Sequence, residues 1–348
     1  MPSVNQTRGA DKRSLVELPE TYFDRWIGRK RSTFVTALLA LILYGIAYAV
    51  GALEYGTTAV FTEGHWRYLF LSPSIIVYIS VLAPWLSKLE VKANYAIAVL
   101  TTLDADELGK LVQETATLTP AQEIGAIVVG AGVGSFLTGP ALTAPITPVN
   151  VVMFILTAAT FGLLAWTIQA STISIKVTAA LLRRPLNVNV FDLTPFDAIG
   201  QQSLVLALSF VGGITLSLVF TAFDPAMLAA PVFWLVNLPI LLVPVAVFFL
   251  NMSPTHRIIA EAKKAELETV RQHIPRLAHR LLLHDDAEAD DKTRLSTRFE
   301  ALLAYEQRLQ QVQTWPYDVS TLRKLFASFL LPVITVVAQV LLRMMLGG

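Results

Sequence analysis

The sequence predicts an all-α membrane protein, a polytopic helical bundle of seven transmembrane spans with a cytoplasmic helical hairpin. Apolar residues make up 54% of the 348 residues and charged residues 15%, whereas about a quarter of a soluble domain is charged. Seven long stretches are nearly free of charge, and the alternating segments of an outer-membrane barrel do not occur. Together these observations exclude a disordered chain and an ordinary soluble enzyme.

Each of the seven apolar stretches is long enough to cross a bilayer, whose hydrocarbon core of about 30 Å needs roughly 20 helical residues. Several show no polar stripe at helical spacing, so all their faces must meet lipid or protein. In chain order, the predicted spans are residues 33–53, 67–86, 123–142, 148–170, 199–222, 229–250 and 322–346.

The third and fourth spans are separated by Gly139-Pro140 and two further prolines, which predict a tight external turn. We therefore expect a hairpin of two spans, and a re-entrant loop over 124–146 is the alternative. Within the third span, Gly130 and Gly134 are four residues apart. This spacing favours close helix packing, because a nucleotide-binding loop would need a preceding strand and a following Lys-Ser/Thr pair.

Orientation follows from the distribution of basic residues. If the N-terminus is cytoplasmic, 25 of the 27 Lys and Arg residues fall on the cytoplasmic side, and only Arg67 and Arg343 lie outside. Residues 1–31 show no cleavable signal peptide. We expect a multi-pass protein of the cell (plasma) membrane with a cytoplasmic N-terminus and an external C-terminus. The net charge of +1 argues against a nucleic-acid partner.

Four segments follow from this topology. A cytoplasmic N-terminal segment precedes a membrane domain of six spans, which contains two large cytoplasmic loops. A cytoplasmic helical hairpin comes next, and the seventh span ends the chain. The segments are 1–32, 33–250 with loops 87–122 and 171–198, 251–318, and 319–348.

The first large loop carries a helix signal. Asp104, with Glu107 three residues later, resembles a capping box. An apolar stripe formed by Leu108, Leu111 and Val112 follows, so we expect a short amphipathic helix.

The second large loop contains two Phe-Asp pairs, Phe191-Asp192 and Phe196-Asp197. Asp is a frequent helix cap, and an apolar ring can hold a loop against its neighbours. We expect turns in which Asp caps the fifth span and Phe anchors the loop.

Residues 251–318 predict two amphipathic helices that pair antiparallel. Ser253-Pro254 would begin the first, as an N-cap followed by Pro at N1. The acidic run 284–291 would separate the two helices. Their apolar stripes would meet, and they include Leu267, Val270 and Ile274 on the first helix and Leu302, Leu309 and Val312 on the second.

The hairpin ends directly before the seventh span at four residues that we expect to couple the two, namely Trp315, Pro316, Tyr317 and Asp318. A movement at the membrane would then reach the hairpin, and the reverse. The alternative is a plain cytoplasmic bundle used for assembly.

No catalytic chemistry is predicted. The chain has no cysteine, and its five histidines do not occur at metal-ligand spacing. We therefore expect no enzyme, no metal site and no cofactor. The cores of the first six spans also lack ionisable residues, which argues against a proton-coupled transporter.

The seventh span carries a one-sided polar pattern. Ser328, Thr335, Gln339 and Arg343 are spaced 7, 4 and 4 residues apart, so they share a helix face. Pro332 should kink the helix between them. We expect these five residues to line or gate a pore, and packing between helices is the alternative.

Two regions support a resemblance. The residues quoted for it include Arg184-Pro185 and Ile199-Gly200-Gln201-Gln202-Ser203 in the first region, and Trp315-Pro316-Tyr317-Asp318 in the second. They resemble uncharacterised multi-pass membrane proteins of archaea and bacteria, which implies no activity. In topology alone, the predicted chain is similar to the insect odorant and gustatory receptor superfamily of ion channels. That likeness implies a tetramer whose last helix lines a central pore.

Three functions fit the sequence. The first is a homo-oligomeric channel- or receptor-like protein in the lipid bilayer, with the seventh span facing the shared axis. The second is a transporter of a neutral or lipophilic solute, in which Gly- and Pro-interrupted spans form the path. The third is a non-conducting scaffold whose hairpin recruits a partner. The ligand is not identified by the sequence.

Overall fold

The computed structural model describes residues 33–117, 119–137, 146–221, 231–283 and 289–315, together with Arg323, Ala327, Leu330 and Ile334. Within these residues the regular elements are helices, and strand pairing is limited to one isolated antiparallel bridge between Thr101 and Leu186. The predicted all-α class is therefore confirmed.

The helices follow one another with short connections. Two of them are brief, a single turn that follows the first long helix and a 12-residue helix in the first predicted loop. We label them in chain order as α1 (Thr33–Tyr55), α2 (Ala59–Thr62), α3 (Trp66–Leu100), α4 (Ala105–Ala116), α5 (Pro120–Leu137), α6 (Pro148–Leu182), α7 (Thr194–Thr221), α8 (Pro231–Leu283) and α9 (Ala289–Gln311).

Five helices are long and apolar enough to cross a membrane, and they correspond to the first, second, fourth, fifth and sixth predicted spans. The chain is thus a multi-pass helical membrane protein. The third predicted span coincides with α5, whose 18 residues reach about 27 Å. Most of the seventh lies outside the described residues. The seven-span count, the choice between a full span and a re-entrant loop over 124–146, and the N-inside orientation stay predictions.

Three helices are longer than a bilayer requires. α3 and α6 have 35 residues each, or about 52 Å, against a hydrocarbon core of about 30 Å. They therefore run on through the first residues of both predicted loops. The hydropathy of the sequence identified only the apolar parts of these helices as spans. Charged residues such as Lys88 and Lys92 lower the mean hydropathy without ending a helix.

α8 extends this pattern to 53 residues, about 80 Å. It passes without a break through Ser253-Pro254, so the prediction that a helix begins there was wrong. Proline removes one backbone donor from a helix interior and bends it, but it does not have to end it. Met252 and Thr255, on either side, are fully buried and hold the helix in place.

Gly130 and Gly134 of α5 lie against α6. A Cβ on Gly130 would come within 2.5 Å of both the Phe161 carbonyl oxygen and the Ala165 Cβ, and one on Gly134 would overlap the Phe161 side chain. Gly162 faces α5 in turn, with the Ile127 carbonyl oxygen 3.1 Å from its Cβ position. The prediction of close helix packing at Gly130 and Gly134 is confirmed.

Two apolar cores occupy opposite ends of α3 and α6. The first, which we name the five-helix core, joins the ends of α3 and α6 to α4, the start of α7 and the middle of α8. It contains Leu108 and Val112, so the predicted stripe of α4 is buried. Asp104 occupies the N-cap position of α4, although its side chain makes no capping hydrogen bond. The second core joins α1, α2 and the first halves of α3 and α6.

The segment between α6 and α7 is irregular, as predicted. The Asp192 carboxylate accepts a hydrogen bond of 3.2 Å from the backbone N–H of Thr194, where α7 begins. Phe196 is 1% exposed and anchors this end of the bundle. These two expectations are confirmed, whereas Phe191 packs against Tyr305 of α9.

Candidate functional site

The second half of α8 and α9 form an antiparallel pair that polar contacts hold in register. The Lys263 ammonium donates 2.8 Å hydrogen bonds to the carbonyl oxygens of Gln310 and Val312, at the end of α9. Nearer the middle of α9, Arg271 and Glu306 form an ion pair of 2.8 Å. Because carbonyls at a helix C-terminus lack partners within the helix, the Lys263 contact closes α9 where it ends.

An apolar seam runs between the two helices. Val270 and Leu309 are buried at its centre, together with Val190 from the α6–α7 connection. The predicted stripe residues of both helices surround them, as expected, and those packed here are Leu267, Ile274, Leu302 and Val312. The presence of Val190 means that the pair is also packed against the bundle.

Tyr305 connects three parts of this region. Its hydroxyl donates a 2.8 Å hydrogen bond to the Glu266 carboxylate on α8. Its ring lies 5.3 Å from the ring of Phe191, which also has the Arg308 guanidinium 5.9 Å from its centre. The hydrogen bond to Glu266 raises the pKa of Tyr305, and partial burial and the negative charge of Glu266 raise it further.

Trp315 follows α9 and packs on α8. Its ring stacks on His256, with centroids 4.1 Å apart and planes 9° from parallel, and it meets Phe249 edge-on at 6.5 Å. The Nδ1 of His256 lies 3.2 Å from the carbonyl oxygen of Thr314, to which it can donate. Trp315 thus ties the chain leaving α9 to α8 and the five-helix core. The other coupling candidates, Pro316, Tyr317 and Asp318, lie outside the described residues.

Four residues of the predicted seventh span are described, and all four are helical and exposed. Arg323, Ala327, Leu330 and Ile334 are spaced 4, 3 and 4 residues apart, so they share one helix face. Leu330 and Ile334 are 56% and 57% exposed. The pore-lining candidates Ser328, Pro332, Thr335, Gln339 and Arg343 lie outside the described residues.

Buried polar side chains lie within the five-helix core and form a set that we name the inner polar layer: Asn94 on α3, Ser174 and Thr178 on α6, Gln202 on α7 and Thr255 on α8. Sequence reasoning named Gln202 but missed the other four. Each of the five is 6% exposed or less. The Thr178 hydroxyl donates a 3.1 Å hydrogen bond to Asn94 Oδ1, and Gln202 Nε2 donates one of 3.1 Å to Ser174.

The spacing of polar residues along α3 and α6 indicated that they share helix faces. Asn94 follows Glu90 by four residues, and Thr178 follows Ser174 by four, so each pair occupies one helix face. Glu90 is also buried, at 7% exposure. These residues were placed in loops because the apolar stretches end before them, and their burial depends on helices that continue.

An apolar groove lies on the surface of α7. Tyr78 of α3 donates a 2.8 Å hydrogen bond to the Ser209 carbonyl oxygen and rests against Gly212. The groove beside it has a volume of about 370 Å³ and is lined mainly by Leu, Val and Thr side chains of α7. Its lining is suited to lipid rather than to a polar solute.

The outer surface of the α8–α9 pair is polar. Among its described residues beyond the span 229–250, Leu303 is the large apolar side chain that is exposed, at 41%. Over the same described part of the chain, no group of three or more His, Asp or Glu side chains is arranged to hold a metal ion.

Comparison of the whole chain with protein-family models, curated proteins and solved structures finds no match. Both resemblances drawn from the sequence therefore stay hypotheses.

Proposed function

We propose that this multi-pass membrane protein is a homo-oligomeric, channel- or receptor-like protein whose seventh span faces the shared axis. The α8–α9 pair would transmit movements at the membrane to that span. The observation that carries the proposal is the path of the chain. α8 continues from the membrane into the pair, and Trp315 returns to α8 immediately before the seventh span.

The contacts along this path are suited to transmitting a displacement. Lys263 closes the end of α9, and the His256–Trp315 stack follows within three residues. A movement of α8 would therefore displace Trp315, the last described residue before the predicted seventh span. Val190 and Phe191 extend the same connection to the bundle.

The exposed face of the seventh span supports the proposed orientation. On an ideal helix of about 100° per residue, the polar set Ser328, Thr335, Gln339 and Arg343 is centred roughly 140° from the face that contains Leu330 and Ile334. An exposed apolar face is suited to lipid, whereas a polar stripe in lipid would be costly. The polar stripe would then face protein or a shared axis.

The proposal includes a non-enzymatic role in the plasma membrane, with the N-terminus in the cytoplasm and no cofactor. The partners would be the lipid bilayer and further copies of the same chain. Two measurements on the purified protein test it, the native mass in membrane-like particles and single-channel recording in planar bilayers. An oligomer with discrete conductance steps is expected. A monomer in sealed bilayers, under all ligands and voltages tried, would contradict the proposal.

A second candidate is a transporter of a neutral or lipophilic solute. The observation that favours it is the inner polar layer, because this layer lies among helices of a single chain. Solute uptake by vesicles containing a monomeric form of the protein would favour this function over an axial pore. The third function, a scaffold with an apolar docking face, gains no support from the polar outer surface of the α8–α9 pair.

A further inference from the structure

The inner polar layer has more hydrogen-bonding capacity than its own contacts use. In Asn94 the carbonyl oxygen accepts from Thr178, but Nδ2 has no partner among the described residues. In Gln202 the amide nitrogen donates to Ser174, but Oε1 has no partner within the same part of the chain. The Thr255 hydroxyl on α8 likewise has no partner there. Buried polar atoms in native proteins almost always have partners, so this group requires an explanation.

Apolar residues surround these atoms on every helix involved. Ala93 and Ile97 flank Asn94, Ile199 precedes Gln202 by one turn, and Met252 and Ile259 flank Thr255 on α8. All five of these apolar residues are fully buried. Bulk solvent therefore does not satisfy the polar atoms.

The spacing of the layer fits a very small guest. The two hydrogen bonds within the layer end on Ser174 and Thr178, which are one helical turn, or about 6 Å, apart on α6. Hydrogen bonds of about 2.8–3.0 Å at the near-tetrahedral angle of water join two atoms about 4.5–5 Å apart, so one or two water molecules span a separation of this size.

The chemistry of the unpartnered atoms selects a neutral guest. Asn94 Nδ2 is a donor, and Gln202 Oε1 is an acceptor. A cation would be repelled by the Asn94 N–H groups, and an anion by the Gln202 oxygen. A molecule that both accepts and donates satisfies the two atoms at once.

We propose that the inner polar layer is a binding site for water inside the five-helix core. Through one molecule or more, water accepts a hydrogen bond from Asn94 Nδ2, donates one to Gln202 Oε1 and bonds to the Thr255 hydroxyl. Buried water typically makes two to four such bonds. This inference does not depend on the proposed function.

Water in the inner polar layer allows relative movements of the helices that a purely apolar core would not allow. Side chains that are bonded through water can exchange partners without leaving a polar group unsatisfied. α3, α6, α7 and α8 can then shift relative to one another at this level. The second core, in which Met153 is packed among apolar residues, would stay fixed.

Two buried methionines allow a direct test. Met252 lies one turn from Thr255 and is 0% exposed, whereas Met153 lies in the second core and is 2% exposed. Ionising X-ray pulses produce hydroxyl radicals from water within the protein, and these oxidise the nearest methionine. We expect Met252 of the full-length protein, in lipid particles, to be oxidised at least fivefold faster than Met153.

Paired substitutions identify the source of the labelling. In the double variant Asn94→Leu/Thr178→Val both bonding partners are removed, and the Met252 rate should fall to that of Met153. Thr160→Val is the control, because it removes a buried hydroxyl of α6 that bonds to the Leu156 carbonyl oxygen outside the layer; this variant should leave the Met252 rate unchanged.

Equal rates at Met252 and Met153 in the wild-type protein would overturn the inference. So would rapid oxidation of Met252 that persists in a folded double variant, because the labelling would then come from general solvent access. If the double variant does not fold, the comparison of the two methionines in the wild-type protein decides alone.

Discussion

Trp315 stacks on His256 with its ring centroid 4.1 Å away and the two planes 9° from parallel. The contact joins residues that are 59 positions apart, at the point where the chain leaves α9 for the seventh span. His256 also faces the Thr314 carbonyl oxygen at 3.2 Å. One side chain of α8 therefore holds both the backbone and the ring of the segment that precedes the predicted seventh span.

Replacing Trp315 tests the importance of this contact. Trp315→Ala removes the stack on His256 and the edge contact with Phe249, so we expect a loss of about 1–3 kcal/mol in the free energy of unfolding. Thermal unfolding of the purified protein measures the loss. Leu303→Ala is the control, because Leu303 is 41% exposed on α9. Equal effects of the two substitutions would show that the stack contributes nothing specific.

The α8–α9 contact should weaken at alkaline pH. The pKa of Tyr305 is raised above its ordinary value, chiefly by the hydrogen bond to Glu266, so folding favours the protonated phenol. The Tyr305–Glu266 hydrogen bond stabilises the fold fully below the pKa of about 10 that tyrosine has in the unfolded chain. This stabilisation is lost as the pH rises through the higher pKa that Tyr305 has in the folded protein. Between about pH 9 and pH 11, the midpoint temperature of thermal unfolding should therefore fall more steeply for the wild type than for Tyr305→Phe. Identical curves would contradict the role of this bond.

The effect of an added Cβ on α5 should depend on whether that face of the helix packs against α6. Gly130→Ala places a Cβ within 2.5 Å of the Phe161 carbonyl oxygen, and overpacking of this kind costs about 1–3 kcal/mol. Gly132 has open space around it, so Gly132→Ala should be neutral or stabilising by up to about 1 kcal/mol. Unfolding of both variants in detergent measures the difference. A loss at Gly132 as large as that at Gly130 would be inconsistent with this packing.

The orientation can be tested with single cysteines, because the chain contains none. Thr57, between α1 and α2, and Gln272, on α8, are both exposed. With the N-terminus in the cytoplasm, an impermeant thiol reagent applied to intact cells should label Thr57→Cys and leave Gln272→Cys unmodified until the cells are permeabilised. The reverse pattern would invert the proposed topology.

Local patterns predicted the features that depend on one helix or on one helix pair. The spacing of Gly130 and Gly134 indicated close packing, and the structure places both against α6. The stripes of α8 and α9 meet because amphipathic faces bury each other. Such features need only the helical period and the hydrophobic effect.

Features that depend on several helices could not be predicted in this way. Asn94 and Thr178 lie beyond the apolar stretches of their helices, and their burial comes from α7 and α8. Ser253-Pro254 has the residues of a helix start, but the buried neighbours Met252 and Thr255 hold the helix continuous through it. Tertiary packing overrides the local signal at both places.

The most direct test of the proposed function is the accessibility of the seventh span in conducting protein. Thr335→Cys and Gln339→Cys probe the polar stripe, and Leu330→Cys and Ile334→Cys probe the exposed face. A charged thiol reagent is applied during single-channel recording. We expect it to reduce the current through the two polar-stripe variants and to leave the two others unchanged. Absence of conductance in all four variants and the wild type, or block restricted to Leu330→Cys and Ile334→Cys, would contradict a pore lined by this stripe.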